Sequence, residues 1–121
     1  MKYDIPAALQ ALKPGSEWIL RGNDYSGIEW LDSEQKPTKT EVADKIAELD
    51  ASEPMRLLRE ERFRLLLECD WTQGADVPNS IKTAWQTYRQ ALRDLPASSS
   101  PQLDSYYDLD LTSVTWPTKP S

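Results

Sequence analysis

The sequence EPMRLLREERFRLLLECDWTQGADVPNSIKTAWQTYRQALRDL, residues Glu53 to Leu95, carries the strongest structural pattern of this 121-residue chain. It contains two segments with apolar residues three or four positions apart, separated by a short turn that contains glycine and proline. Because the connection is short, the pattern predicts two antiparallel helices. The apolar face of the second helix consists of Ile81, Ala84, Trp85, Tyr88, Ala91, Leu92 and Leu95.

The first helix is predicted to begin with Ser52 as its N-cap and with Glu53 and Pro54 in its opening turn. Arg59 and Arg62 project from the middle of its apolar face, and an unpaired buried guanidinium is costly. We therefore expect these arginines to meet carboxylates, carbonyls or aromatic faces, or else to extend past the edge of the core. The apolar face comprises Met55, Leu58, Leu65, Leu66 and Cys69, with Phe63 and Leu67 at its edge, whereas Leu57 points away from it.

Three aromatic residues of this region are predicted to have structural roles. Trp71 and Trp85 are typical of a hairpin core, and Tyr88 lies on the apolar stripe of the second helix. Pro96 is predicted to stop that helix, because proline lacks a backbone N–H and its ring clashes with the preceding turn.

The composition narrows the class of protein. A net charge of −6 argues against nucleic acid as a partner, because phosphate contacts need a basic surface. No apolar run reaches the length of a membrane span, and the first residues lack the apolar core of a signal peptide. The single cysteine, Cys69, cannot form an internal disulfide, which favours a cytosolic protein with this thiol inert in the core rather than reactive.

The sequence contains no recognisable catalytic constellation. It has no histidine, no phosphate-binding glycine loop and no nucleophile elbow. Asp104, Asp108 and Asp110 are close in sequence, but the pattern and the glycine of a calcium loop are missing. We therefore expect no enzymatic activity, no cofactor and no metal site.

Residues 1–51 are predicted to form an N-terminal module. A short helix follows Pro6, and two aromatic and β-branched runs around the cluster 22–27 predict a β-hairpin. Thr38 and Glu41 fit a capping box that begins a further helix, which ends near Leu49. A lone hairpin is marginal in water, so we expect one of its faces to pack on the helices or on a partner chain.

Residues 97–121 are predicted to form a serine-rich linker followed by an extended tail that alternates acidic and apolar residues. Such a tail is either disordered or docked in extended form. If it is docked, it contacts a partner or folds back over the hairpin of its own chain. The candidate partner-binding residues of the whole chain are Trp18, Trp30, Tyr106, Tyr107, Leu109, Leu111, Trp116 and Pro117.

Together these segments predict an α+β fold. It comprises a small N-terminal β-hairpin with short helices (1–51), an antiparallel helical hairpin (52–96) and an extended C-terminal tail (97–121).

The helical hairpin resembles the bacteriophage tail assembly chaperone family, often called tail fibre assembly proteins. The resemblance rests on an arginine-bearing helix that leads into Asp70-Trp71-Thr72-Gln73, then Asp76-Val77-Pro78, then a helix from Trp85 through Tyr88-Arg89-Gln90-Ala91-Leu92-Arg93-Asp94-Leu95-Pro96. The ending Thr115-Trp116-Pro117 is similar to the Trp-Pro endings of such proteins.

The resemblance implies a protein that helps a trimeric tail fibre protein to fold, trimerise or attach to the tail in the host cytoplasm. It implies no catalytic residue, and it leaves the oligomeric state undefined. Two alternatives remain open: a chaperone that leaves before the virion is complete, and a permanent structural component of the tail fibre or baseplate.

Overall fold

The computed structural model describes residues 2–120. Its helices and strands follow the order α1 (Ile5–Leu12), β1 (Trp18–Leu20), β2 (Ile28–Trp30), α2 (Lys39–Glu68) and α3 (Asn79–Ser98). The two strands form an antiparallel sheet, so the predicted α+β class, with a β-hairpin and a helical hairpin, is confirmed. The chain divides into two compact units, Met1–Glu53 and Pro54–Ser121, and the boundary falls within α2.

The first unit packs its β-hairpin against helices. The Asp4 carboxylate caps α1 by accepting a hydrogen bond from the Ala7 N–H at 3.1 Å, and Pro6 occupies the first turn. A buried cluster joins α1, β2 and the beginning of α2, so the hairpin packs on helices of its own chain. Its members are Ala8, Leu9, Ile28, Val42 and Ile46.

The hairpin pairs Trp18 with Trp30 and Leu20 with Ile28. At Gly27 an added Cβ would lie 1.9 Å from the Arg21 carbonyl oxygen, so the close approach of the backbone requires glycine there.

The beginning of α2 confirms the predicted capping box. The Thr38 hydroxyl accepts from the Glu41 N–H at 3.1 Å, and the Glu41 carboxylate accepts from the Thr38 N–H at 3.2 Å. The predicted interruption near residues 50–52 was wrong, because α2 continues to Glu68. Ser52 is not an N-cap, since its hydroxyl donates to the Leu49 carbonyl within the helix at 3.0 Å. Pro54 lies inside the helix, where proline removes one backbone hydrogen bond.

Glu53, predicted to lie in a helix opening, is instead fully buried in the first unit. Its carboxylate accepts a hydrogen bond from the Tyr3 hydroxyl at 2.9 Å and forms an ion pair with Lys2. The nearby Asp50 carboxylate accepts from the backbone N–H groups of Lys2 and Tyr3, at 3.0 and 2.8 Å. These contacts hold the N-terminal segment on α2.

The second unit is built on the helical hairpin of α2 and α3. Leu58, early in this part of α2, packs with Leu95 near the end of α3. The Leu66 carbonyl, near the end of α2, accepts a hydrogen bond from Arg89, which lies earlier in α3. The two helices therefore run antiparallel, as predicted. One buried cluster lies near the turn and a second lies at the open end of the hairpin. The first comprises Cys69, Tyr88 and Leu92, and the second comprises Leu58, Leu95 and Val114.

Helix α3 ends later than its proline predicts. It passes through Pro96 and ends at Ser98, with the N–H of Ser99 bonded to the Pro96 carbonyl. The hydroxyls of Ser98 and Ser99 both donate to the Leu95 carbonyl, at 3.3 and 2.6 Å. Serine side chains thus satisfy one of the carbonyls of the final turn, which have no partner within the helix.

The C-terminal tail folds back over the helical hairpin of its own chain, one of the alternatives that the sequence leaves open. Leu103 and Leu109 form an antiparallel bridge around a turn in which Tyr107 has a positive φ of 63°. A short 3₁₀ turn at Leu111–Ser113 follows, and Val114 enters the core.

Candidate functional site

An exposed groove lies between α2 and the tail within the second unit. Its apolar wall on α2 consists of Leu57, Phe63 and Leu67, and its wall on the tail consists of Leu109 and Leu111. We call these five residues the apolar groove. Its volume is about 420 Å³. Phe63 remains 60% exposed and Leu67 55% exposed, so the groove is open to solvent.

Three charged side chains, Glu60, Glu61 and Arg64, also line the groove. The Arg64 guanidinium bonds the Glu61 carboxylate and donates to Glu68 at 2.8 Å. Its hydrogen bond to Glu61 lowers the pKa of that carboxyl and raises the pKa of Arg64 above its ordinary value. Glu60 forms an ion pair with Arg56 at 2.9 Å, so the charges on this face of α2 are arranged in pairs.

An ion pair joins the end of the tail to α2. Lys119 donates to the Glu68 carboxylate at 2.9 Å, and this hydrogen bond is the main cause that lowers the pKa of Glu68. The same bond raises the pKa of Lys119. Glu68 therefore accepts from both Arg64 and Lys119, which connects the wall of the groove to the tail.

The tail residues predicted to bind a partner fall into two groups. Tyr106 is 82% exposed, and Tyr107 and Leu111 are exposed to 45% and 55%. Leu109 and Trp116 instead pack against the buried cluster of Leu58, Leu95 and Val114, and the Trp116 indole N–H donates to the Leu111 carbonyl at 3.0 Å. Pro117 is half-buried.

The two predicted tryptophans of the first unit lie on its core. Trp18 and Trp30 are half-buried and pack against the cluster of α1, β2 and α2. The Trp30 indole N–H donates to the Glu34 carbonyl at 2.7 Å. These two residues belong to the first unit, whereas the apolar groove belongs to the second.

The turn between α2 and α3 is held together by polar side chains. Arg89 donates to the Leu66 carbonyl at 2.9 Å and to the Cys69 thiol at 3.3 Å, and it pairs with Asp70 at 3.0 Å. Burial opposes the charge of Arg89, but the bonds to the thiol and the carboxylate outweigh it and raise its pKa. The fully buried Thr72 donates to the Cys69 carbonyl at 2.6 Å. These contacts satisfy carbonyls at the end of α2, which have no partners within the helix.

The residues predicted to be structural differ in their burial. Tyr88 is buried, and Trp85 is half-buried with its ring centroid 5.6 Å from that of Tyr88. Trp71 is 62% exposed, so it covers Trp85 from outside and does not lie in the core. Arg62 donates to the Arg93 carbonyl at 3.2 Å, one of the predicted partner types, whereas Arg59 is exposed to solvent.

The α2 side of the groove was missed as a binding surface by reasoning from the sequence. The signal was present, because Leu57 points away from the packing face and Phe63 and Leu67 lie at its edge. Three large apolar residues off the buried face of a helix indicate a second contact surface.

Other kinds of functional site, such as a second apolar pocket or a metal site, have little support in residues 2–120. A wide depression along α3 is lined mostly by polar residues, including Gln86, Gln90 and Asp94. Within this range no group of three or more cysteine and carboxylate side chains is placed to hold a metal ion. None of the helices described is long and apolar enough to cross a membrane.

These features define a small α+β protein with a helical hairpin, a docked tail and an open apolar groove. The sequence profile of the family described as phage tail assembly chaperone protein matches residues 55–121, more than half of the chain. The chain belongs to this family. No curated protein and no solved structure matches it significantly. The matched residues nearly coincide with the second unit, Pro54–Ser121, which contains the groove.

Proposed function

We propose that this protein is a tail fibre assembly chaperone, which binds the trimeric fibre protein of its phage in the host cytoplasm. Binding promotes folding, trimerisation or attachment of the fibre, without catalysis of a reaction. The observation that carries the proposal is the open apolar groove inside the region that matches the family. The family itself implies interaction with phage tail proteins.

The physical basis is the exposed surface of an unassembled fibre chain. A long oligomeric protein exposes apolar segments before its subunits meet, and such segments aggregate. A chaperone that covers one of them reversibly raises the yield of assembled trimer. Phe63 and Leu67 supply the apolar contact area that this role needs.

Co-expression of the fibre protein from the same phage tests the proposal. We expect fibre alone to give mostly insoluble or monomeric protein, and fibre with this chain to give soluble trimer on native gels. Leu58→Asp is the control, because it places a charge at a fully buried position and should abolish the folded chaperone. The proposal would be contradicted if the fibre gave the same yield of trimer with the wild-type chain, with the Leu58→Asp variant and when expressed alone.

Quantitative mass spectrometry of purified virions and infected-cell lysate separates the two fates of the protein. We expect the chain in the lysate and not in the particles. A fixed copy number per particle would instead indicate the alternative, a permanent component of the fibre or baseplate. The docked tail does not by itself support that alternative, because Val114 and Trp116 contact the helical hairpin of their own chain and not a second protein.

A further inference from the structure

We propose that the apolar groove binds an amphipathic helix with lysine or arginine beside its apolar side chains. This inference rests on the proposed function in one respect, namely that the helix belongs to the tail protein being assembled. The site and its ligand chemistry follow from the structure of the second unit.

The length of the groove sets the length of the ligand. Its wall on α2 extends from Leu57 to Leu67, which is about 15 Å at the helical rise of 1.5 Å per residue. This length matches about ten residues of a partner helix. Phe63 and Leu67 are four positions apart, and such pairs form a ridge that packs into the groove of another helix.

An extended ligand fits this site less well. The tail wall belongs to a turn whose backbone groups bond each other, with the Asp110 N–H donating to the Gln102 carbonyl at 2.9 Å and the Asp104 N–H to the Asp108 carbonyl at 2.8 Å. These groups are occupied within the tail, and the backbone groups of α2 are bonded within their own helix. Side-chain contact, the mode by which a helix binds in a groove, is the interaction that the walls offer.

The charges around the groove select a basic ligand. Two carboxylates, Glu60 and Glu61, line it against one cation in residues 2–120, Arg64, so its lining has an excess of negative charge. On the tail side, Asp108 and Asp110 flank Leu109, and no basic residue lies between Pro101 and Thr118. Lysine or arginine next to the apolar side chains of the ligand would therefore be attracted, and carboxylates repelled.

Titration of labelled synthetic peptides by fluorescence anisotropy tests both features. The probes are a helical peptide of leucine and lysine, its leucine and glutamate counterpart, and an extended peptide of alternating valine and lysine. We expect the folded full-length chain to bind the leucine and lysine helix at least tenfold more tightly than either other peptide. Equal binding of all three would overturn the proposal.

Substitutions in the groove test where the peptide binds. Phe63→Ser and Leu67→Ser remove exposed apolar area from the groove, and each should weaken binding about tenfold. Leu31→Ser is the matched control, since Leu31 is 50% exposed in the other unit, and it should leave the affinity unchanged.

A second pair of variants tests the charge preference. Asp108→Lys should weaken binding of the leucine and lysine helix about threefold, whereas Asp76→Lys, in the turn before α3, should not. Equal weakening by the groove variants and by their controls would contradict the assignment.

Two further outcomes identify other occupants or separate the proposals. A wild-type dimer in sedimentation equilibrium that Phe63→Ser converts to monomer would assign the groove to a second copy and overturn the proposal. If wild-type chain rescues fibre trimers and Phe63→Ser rescues them equally, the groove assignment fails and the proposed function stands. If the peptide results hold while wild-type chain gives no rescue, the proposed function fails and the ligand chemistry stands.

Discussion

At the scale of single residues, the family motif describes how the helical hairpin is held together. Arg89 bonds the Leu66 carbonyl, the Cys69 thiol and Asp70, and Thr72 bonds the Cys69 carbonyl. Gln73 reaches across the turn to the Lys82 carbonyl at 3.4 Å. These motif residues contact one another and the backbone, so the motif describes the fold of the hairpin rather than the binding surface that we propose.

Replacement of Arg89 by methionine tests this structural role. The change retains much of the side-chain volume but removes the Arg89 bonds to the Leu66 carbonyl, the Cys69 thiol and Asp70, which should lower the free energy of unfolding by about 2 kcal/mol. Urea denaturation monitored by circular dichroism measures the loss. Arg93→Met is the control, because Arg93 lies on the same helix with an exposed side chain. Equal stability of the two variants would show that Arg89 does not act as a cap.

At the scale of elements, the tail is a structural part of the second unit. Val114 is 7% exposed and packs with Leu58 and Leu95. Val114→Ala should therefore lower the free energy of unfolding by about 2 kcal/mol, through lost apolar burial and a residual cavity. Thr115→Ala, at an exposed neighbouring position, should change stability by less than about 0.5 kcal/mol. Thermal unfolding of the two variants measures the difference. If the tail did not contribute to the fold, both variants would have the stability of the wild type.

The ion pair at the end of the tail predicts a response to acid. The hydrogen bond from Lys119 lowers the pKa of Glu68 below its ordinary value of 4.5. A carboxyl whose pKa is lowered on folding stabilises the fold above its unfolded pKa, and this contribution is lost as the pH falls through the folded pKa. Acidification from pH 7 to below the folded pKa should therefore loosen the end of the tail.

Carboxyl titration by NMR measures this effect directly. We expect the pKa of Glu68 to lie below 4.5 in wild type and to move up towards 4.5 in Lys119→Met, which removes the main cause of the shift. The Trp116 indole N–H, bonded to the Leu111 carbonyl, reports whether the tail loosens over the same pH range. An unchanged Glu68 pKa in the variant would show that the ion pair is not formed in solution.

The sequence predicts the elements better than their ends and their contacts. Periodicity and the capping box of Thr38 and Glu41 are local signals, and the helices that they predict are present. The continuity of α2 through Pro54 depends on tertiary contacts, such as the burial of Glu53 with Tyr3 and Lys2, which are about fifty residues distant in sequence. No local rule reports such contacts.

The residues of the candidate site show the same difference between local signals and tertiary contacts. Tyr106 and Leu111 could be selected from the sequence because they are apolar residues in a polar tail, and both are exposed. Phe63 and Leu67 could be placed at the edge of the packing face from the sequence, but the groove that they line also depends on where the tail lies. Trp18 and Trp30 were ambiguous between core and interface, because tryptophan is enriched in both.

At the scale of the whole molecule, the net charge and the proposed binding surface are divided between the two units. Residues 1–53 contain eleven carboxylates and six basic side chains, whereas residues 54–121 contain nine and eight. The net charge of −6 therefore comes mainly from the first unit, while the apolar groove belongs to the second. Charges outside a contact surface act chiefly on the rate of association, because they steer the encounter of the partners.

This division predicts the behaviour of a fragment of residues 54–121. Both buried clusters of the second unit consist of residues from Met55 onward, and a helix that begins at Pro54 has proline in a favourable first position. The fragment should therefore fold, and it should bind the leucine and lysine helix with a dissociation rate close to that of the full chain. Its association rate should be lower and less sensitive to salt, because most of the excess negative charge is absent. Stopped-flow fluorescence at low and high salt measures both rates. A faster dissociation with an unchanged association rate would instead place part of the binding surface in residues 1–53.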